Sequence, residues 1–98
     1  MKAIEFLVEL SNKYLTGEIN GKEFADEFES YFYEVEETIY NYDKNIYNAL
    51  DDIREAIAYY EPDVNIREES KDLIDDNGLN YKVKINLKKL KNPSIKTA

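Results

Sequence analysis

The sequence predicts an all-α fold, a small antiparallel four-helix bundle with a long irregular connection between helices three and four. Apolar residues recur at helical spacing through most of the 98 residues, and only three Gly and two Pro punctuate them. A hydrophobic content of 43% suffices for one core, while the length leaves no room for a second domain. The whole chain, 1–98, therefore reads as one helical domain.

Helix one is expected over about residues 2–15, where Ile4, Leu7, Val8, Ser11 and Leu15 share a stripe and Thr16-Gly17 supplies the stop. Helix two is expected over about 20–40. Asn20 stands three residues ahead of Glu23, a capping box with Asn in the Ser/Thr position, and opens a stripe of Phe24, Phe28, Tyr31, Phe32, Val35 and Ile39. Asn41-Tyr42-Asp43 reads as a break, with Asp43 capping helix three over about 43–61. Ile46, Leu50, Ile53, Ile57 and Tyr60 form its inner stripe, and Pro62 ends it by constraining the residue before it.

Residues 62–78 carry no sustained period. Leu73-Ile74 is placed to anchor this connection, and 67–73 to form a short helical turn. A connection this long in a small domain is more often functional than idle. Asp76-Asn77-Gly78 then supplies turn and cap chemistry for helix four over about 78–91, marked by Leu79, Val83, Leu87 and Leu90, before a tail at 92–98. Lys84, Lys88 and Lys91 on its outer face suit a helix C-terminus.

Charge is divided sharply along the chain. All twenty-one Asp and Glu lie between Glu5 and Asp76, against seven Lys and Arg, so residues 1–76 carry −14; residues 77–98 carry six Lys and no acid, which leaves −8 overall. A body this acidic repels nucleic acid, whose affinity comes from Lys and Arg meeting phosphates, and attracts basic proteins. On helix two Asp26, Glu29, Glu36 and Glu37 face away from the Phe24 stripe, with Tyr33 and Tyr40 among them. On helix three Asp51, Asp52, Glu55 and Tyr59 face away from the Ile46 stripe. Two readings stand: a solvated surface that tolerates amphipathic tyrosines, or an interface with aromatic anchors ringed by charge.

Chemistry is poorly supplied. The chain has no Cys, hence no disulfide, thiolate nucleophile or zinc-thiolate site, and no His, the commonest general base and metal ligand. Asp75-Asp76-Asn77-Gly78 resembles part of a calcium loop, but with Gly78 at the sixth position the first would be Leu73 and the twelfth Lys84, so the closing ligands are missing. The pairs Asp51-Asp52, Glu36-Glu37 and Glu68-Glu69 are adjacent and diverge on a helix. Neither a metal nor a cofactor is expected. The start MKAIEFLVEL lacks a basic segment followed by a long apolar run, so the expectation is a cytoplasmic chain with no membrane span.

The segments AIAYYEPD at 56–63, Arg67, LIDDNGL at 73–79 and the Val83/Leu87/Leu90 helix resemble the C-terminal half of the colicin D immunity protein family. The first helix, then Gly17-Glu18-Ile19, then Glu23-Phe24 opening the second is similar to that family's N-terminal half. The resemblance implies a helical inhibitor, not an enzyme, that binds a basic tRNA-cleaving toxin domain and presents carboxylates where the RNA phosphates would lie. The toxin would be colicin-like or delivered by cell contact. The residues expected to meet it are Glu61 and Asp63, backed by Asp51, Asp52 and Glu55, with Tyr59, Tyr33 and Tyr40 as aromatic anchors; Asp63 alone also rests on a matching family position. Pro62 is assigned to shaping the turn, Arg67 to pairing with a neighbouring acid, and Tyr60 to the core. The expected partner is a basic nuclease toxin, with no direct nucleic-acid contact, and the expected state is a monomer. An acidic helical adaptor or nucleic-acid mimic for another basic protein is the alternative, and a carboxylate-only enzyme stands third.

Overall fold

The computed structural model describes residues 1–90, and within them the chain is all-helical: α1 (Lys2–Leu15), α2 (Gly21–Tyr42), α3 (Lys44–Tyr59), the single turn α4 (Val64–Arg67) and α5 (Asp76–Leu90). No strand forms among the described residues; Tyr60 and Ile74 make one isolated parallel bridge. α1 packs on α2 and α5, and α3 packs on α2 and α5, so the four long helices close a ring around one core. The expected tail at 92–98 and Lys91 lie outside the described residues.

Local chemistry sets the helix ends. Gly17, at φ +83°, turns the chain out of α1 in the left-handed region where a Cβ is costly. The capping box forms in both directions, with Asn20 Oδ1 accepting the Glu23 N–H at 2.8 Å and Glu23 Oε1 accepting the Asn20 N–H at 3.3 Å. Asp43 alone separates α2 from α3, and its carboxylate accepts the N–H groups of Asn45 and Ile46 at 2.9 and 3.1 Å. α2 therefore runs two residues past its expected end at 40, because one well-capped residue is enough to turn the chain. α3 ends at Tyr59, before the expected 61, since the backbone of Tyr59 and Glu61 is diverted to the bridge.

The core is aromatic along α2. Phe24, Phe28 and Phe32 are fully buried and stand in a ladder with ring centroids 5.4 and 5.9 Å apart, extended by Tyr14 at one end (4.8 Å) and Tyr47 at the other (5.8 Å). Each such side chain contributes roughly 1.5–3 kcal/mol by leaving water. Leu50, Ile53, Ile57, Leu79, Val83 and Leu87 close the core from α3 and α5 as their spacing required. α1 is rotated from the expected stripe: Leu10 and Tyr14 are buried with Leu7 and Ser11, while Ile4, Val8 and Leu15 are only half-buried. Tyr60 is half-buried against the core rather than inside it.

Two features of the connection differ from expectation. Its helical turn is α4 at Val64–Arg67, not 67–73, because Asp63 caps it by accepting the Asn65 N–H at 2.8 Å. α5 begins at Asp76, two residues before 78, with Asp75 rather than Asp76 accepting the Gly78 N–H at 2.9 Å. Asp76 instead turns toward α1, where its carboxylate and carbonyl accept the Tyr14 hydroxyl at 3.1 and 3.2 Å. The Tyr60 hydroxyl approaches the same carboxylate, and a Cβ on Gly21 would collide with that hydroxyl and stand 2.6 Å from Asp76 Oδ1. Only glycine leaves room for this meeting of α1, α2, α5 and the connection.

The cluster carries a pH signature. Burial, then the Asp76 charge, pushes the Tyr60 phenol up to about 12 and raises Tyr14 further in the same order of causes. Both phenols are held neutral in the folded state more firmly than in the unfolded chain, whose tyrosines titrate near ~10. Their contribution to stability is complete below that value and is lost as pH rises through about 12. Urea unfolding followed by circular dichroism should show a midpoint that falls steeply above pH ~10, and Tyr14→Phe with Tyr60→Phe should flatten that fall. An unchanged slope in the double variant would remove the cluster as its cause.

Candidate functional site

The residues singled out by sequence fall on the outer side of α3 and its flanks, in three groups. Helical spacing divides α3's outer acids between its two neighbours. Asp51 faces α2: its Oδ1 accepts the Arg54 Nε–H at 2.8 Å, and the Arg54 guanidinium also reaches Tyr33 of α2. The Asp51 hydrogen bond raises the Arg54 pKa. Tyr33 is exposed, at 58%, and Tyr40 less so because it packs edge-on against Tyr47 at 5.1 Å with the Lys44 ammonium 5.4 Å from its ring centre. Asp51, Tyr33 and Tyr40 thus share the α2–α3 seam with Arg54 and Tyr47.

Asp52, Glu55 and Tyr59 face the other way, toward α5. They line a groove of about 310 Å³ between α3 and α5, closed at one side by Asp72 and Ile74 of the connection. Lys89 of α5 spans its rim to Asp52, Nζ to Oδ2 at 3.6 Å. Both partners are half-exposed, so the pair contributes little to stability, about 1 kcal/mol at most. Lys84 and Lys88 are exposed.

Glu61 and Asp63 form the third group, in the first turn of the connection. Glu61 Oε2 accepts the Asp63 N–H at 3.1 Å, and Asp63 is the cap of α4. Both acids are therefore placed by local backbone bonds and still offer oxygens outward, Asp63 being exposed and Glu61 half-buried. Among the described residues Arg67 does not pair with an acid as expected: its Nη1 donates to the carbonyls of Glu61 and Pro62 at 2.7 and 3.0 Å, and so fixes the turn that Pro62 begins. The bridge ties down the base, with the Glu61 N–H donating to the Ile74 carbonyl at 2.9 Å and the Ile74 N–H to the Tyr59 carbonyl at 2.8 Å.

Three residues beside these groups were not singled out by sequence reasoning. Val64 and Ile66 of α4 are 55% and 43% exposed beside Asp63, and no residue of that turn is buried. Their signal was present as two apolar residues in a segment without period. Asn86 lines the α3–α5 groove; its spacing of seven from Leu79 was the available sign that it faces inward. Among the described residues, no three carboxylates are grouped to hold a metal ion, and no helix is long and apolar enough to cross a membrane.

The fold and these groups define a small all-helical protein whose outward chemistry is carboxylates interleaved with tyrosines. Comparison with curated proteins finds none that matches it. The family model for bacterial self-protective colicin-like immunity matches residues 2–90, and the chain belongs to that family. It is an immunity protein, of a class that neutralises toxins and is not enzymatic.

Proposed function

We propose that the chain, as an antiparallel four-helix bundle acting as a monomer in the cytoplasm, neutralises a basic nuclease toxin domain by occupying its RNA-binding cleft. The affiliation within the family is with the colicin D branch, and the target is a tRNA-cleaving toxin, colicin-like or delivered by contact. The connection after α3 carries this reading. There the exposed Val64 and Ile66 are flanked along the chain by Glu61, Asp63, Glu68 and Glu69, apolar side chains offered to a partner within a run of acids. A protein interface has that anatomy, and a cleft built to hold phosphates supplies the complementary charge. Asp51, Asp52 and Glu55 extend the acid along α3, and Tyr59, Tyr33 and Tyr40 add rigid contact area.

The test is association with a basic nuclease toxin domain, sought first in the gene next to the chain's own. Stopped-flow mixing should give an association rate that falls steeply as ionic strength passes ~0.1 M, where the Debye length is about 10 Å. Cells making the toxin should survive only with the chain present. A salt-independent rate, or failure to protect, defeats the proposal. Capture of a DNA-binding protein in place of a toxin would favour the adaptor reading.

A further inference from the structure

Among the described residues two polar side chains are fully buried, and they differ in how they are satisfied. Ser11 donates its hydroxyl to the Leu7 carbonyl at 2.8 Å. Asn86, 1% exposed, donates Nδ2 to the Lys82 carbonyl at 2.9 Å, but its Oδ1 has no hydrogen-bond partner among the described residues. A buried acceptor left without a donor is costly, and native proteins carry few. Asn86 lines the α3–α5 groove, and so do Glu55 and Asp72, neither of which has a side-chain ion pair among the described residues. Asp52 is already matched by Lys89.

We propose that this groove receives a guanidinium group, the arginine side chain of the toxin domain, which donates to Asn86 Oδ1 and to the carboxylates of Glu55 and Asp72. The inference rests on the reading of the partner as a basic toxin. Three acceptors supplied by three different elements suit a planar group with five N–H donors better than a single ammonium. The rest of the lining favours the same choice. Ala56 and Ile85 give an apolar surface, and Tyr59 an aromatic one, against which a weakly hydrated guanidinium face packs. Lys82, exposed at the groove's edge, is the internal competitor for Glu55 and Asp72.

Ethylguanidinium is a direct probe of this site, followed through the Asn86 side-chain amide resonances of isotope-labelled protein. A saturable shift in the millimolar range is expected, several-fold weaker with butylammonium. Asn86→Leu should weaken ethylguanidinium binding about tenfold or more while raising the urea midpoint, because the buried acceptor is gone and the Lys82 carbonyl keeps its helical partner. Glu55→Gln should weaken binding without loss of fold, and Lys82→Met should tighten it. An Asn86 amide that does not respond, or an Asn86→Leu protein that binds the probe as well as the parent, overturns the inference. If the parent fails to protect cells from the toxin, the proposed function fails first. If the parent protects and Asn86→Leu protects with the same toxin Kd, only the guanidinium site is lost.

Discussion

On the proposed function, Asp63→Lys should weaken binding of the toxin domain by roughly 2–5 kcal/mol, the cost of reversing a charge that faces a complementary partner. The structure adds a complication and its remedy. Asp63 also caps α4 through the Asn65 N–H, so the lysine variant loosens that single turn as well as reversing the charge. Asp63→Asn keeps an acceptor for that N–H and removes only the charge. Calorimetric titration of both variants should find Asp63→Asn intermediate, with urea stability near the parent's in both, since α4 buries none of its residues. A lysine variant that binds and protects like the parent would remove Asp63 from the interface. An Asp63→Asn variant as weak as Asp63→Lys would assign the whole effect to charge.

Phe28→Ala lowers global stability by about 3–5 kcal/mol, the loss of transfer free energy plus the cavity left behind. Phe28 is the middle rung of the α2 ladder, fully buried between Phe24 and Phe32. Its neighbours are pinned by further stacking on Tyr14 and Tyr47, so the space cannot easily collapse. Phe28→Leu refills most of the volume and should cost less than half as much. Against a total of about 5–15 kcal/mol for a domain, the alanine variant stands near the edge of folding. Toxin binding to the folded state should then raise its apparent melting temperature by mass action. A loss below about 1 kcal/mol in urea would mean that the ladder is not the centre of the core.

The ladder was legible because its physics is local: aromatic residues four apart in a strong helix former can only face one way. The caps at Asn20 and Asp43 were legible for the same reason, each being a short-range bond between a side chain and a nearby N–H. α1 was misread at Leu10 and Tyr14 because what turns Tyr14 inward is Asp76, sixty-two residues away. The candidate site divides along the same line. That Asp51 and Asp52 lie on the outside of α3 follows from the period of the helix. That one meets Arg54 beside α2 and the other Lys89 on α5 depends on which helices flank α3, and no period encodes that. The unsatisfied Asn86 oxygen is further from view, since it is defined by what the other helices fail to supply.

The two backbone bonds that join Glu61 to Ile74 and Ile74 to Tyr59 have a consequence for how such a protein diversifies. They close residues 61–74 into a loop whose feet stand together on the end of α3, so that the chain between them can lengthen or shorten without moving either helix. Each doubling of such a loop adds only about 0.6 kcal/mol of closure entropy. On the proposed function, the helices can stay as they are while the segment bearing Asp63, Val64 and Ile66 is exchanged like a cassette, so that insertions and deletions there retarget the chain without rebuilding its core.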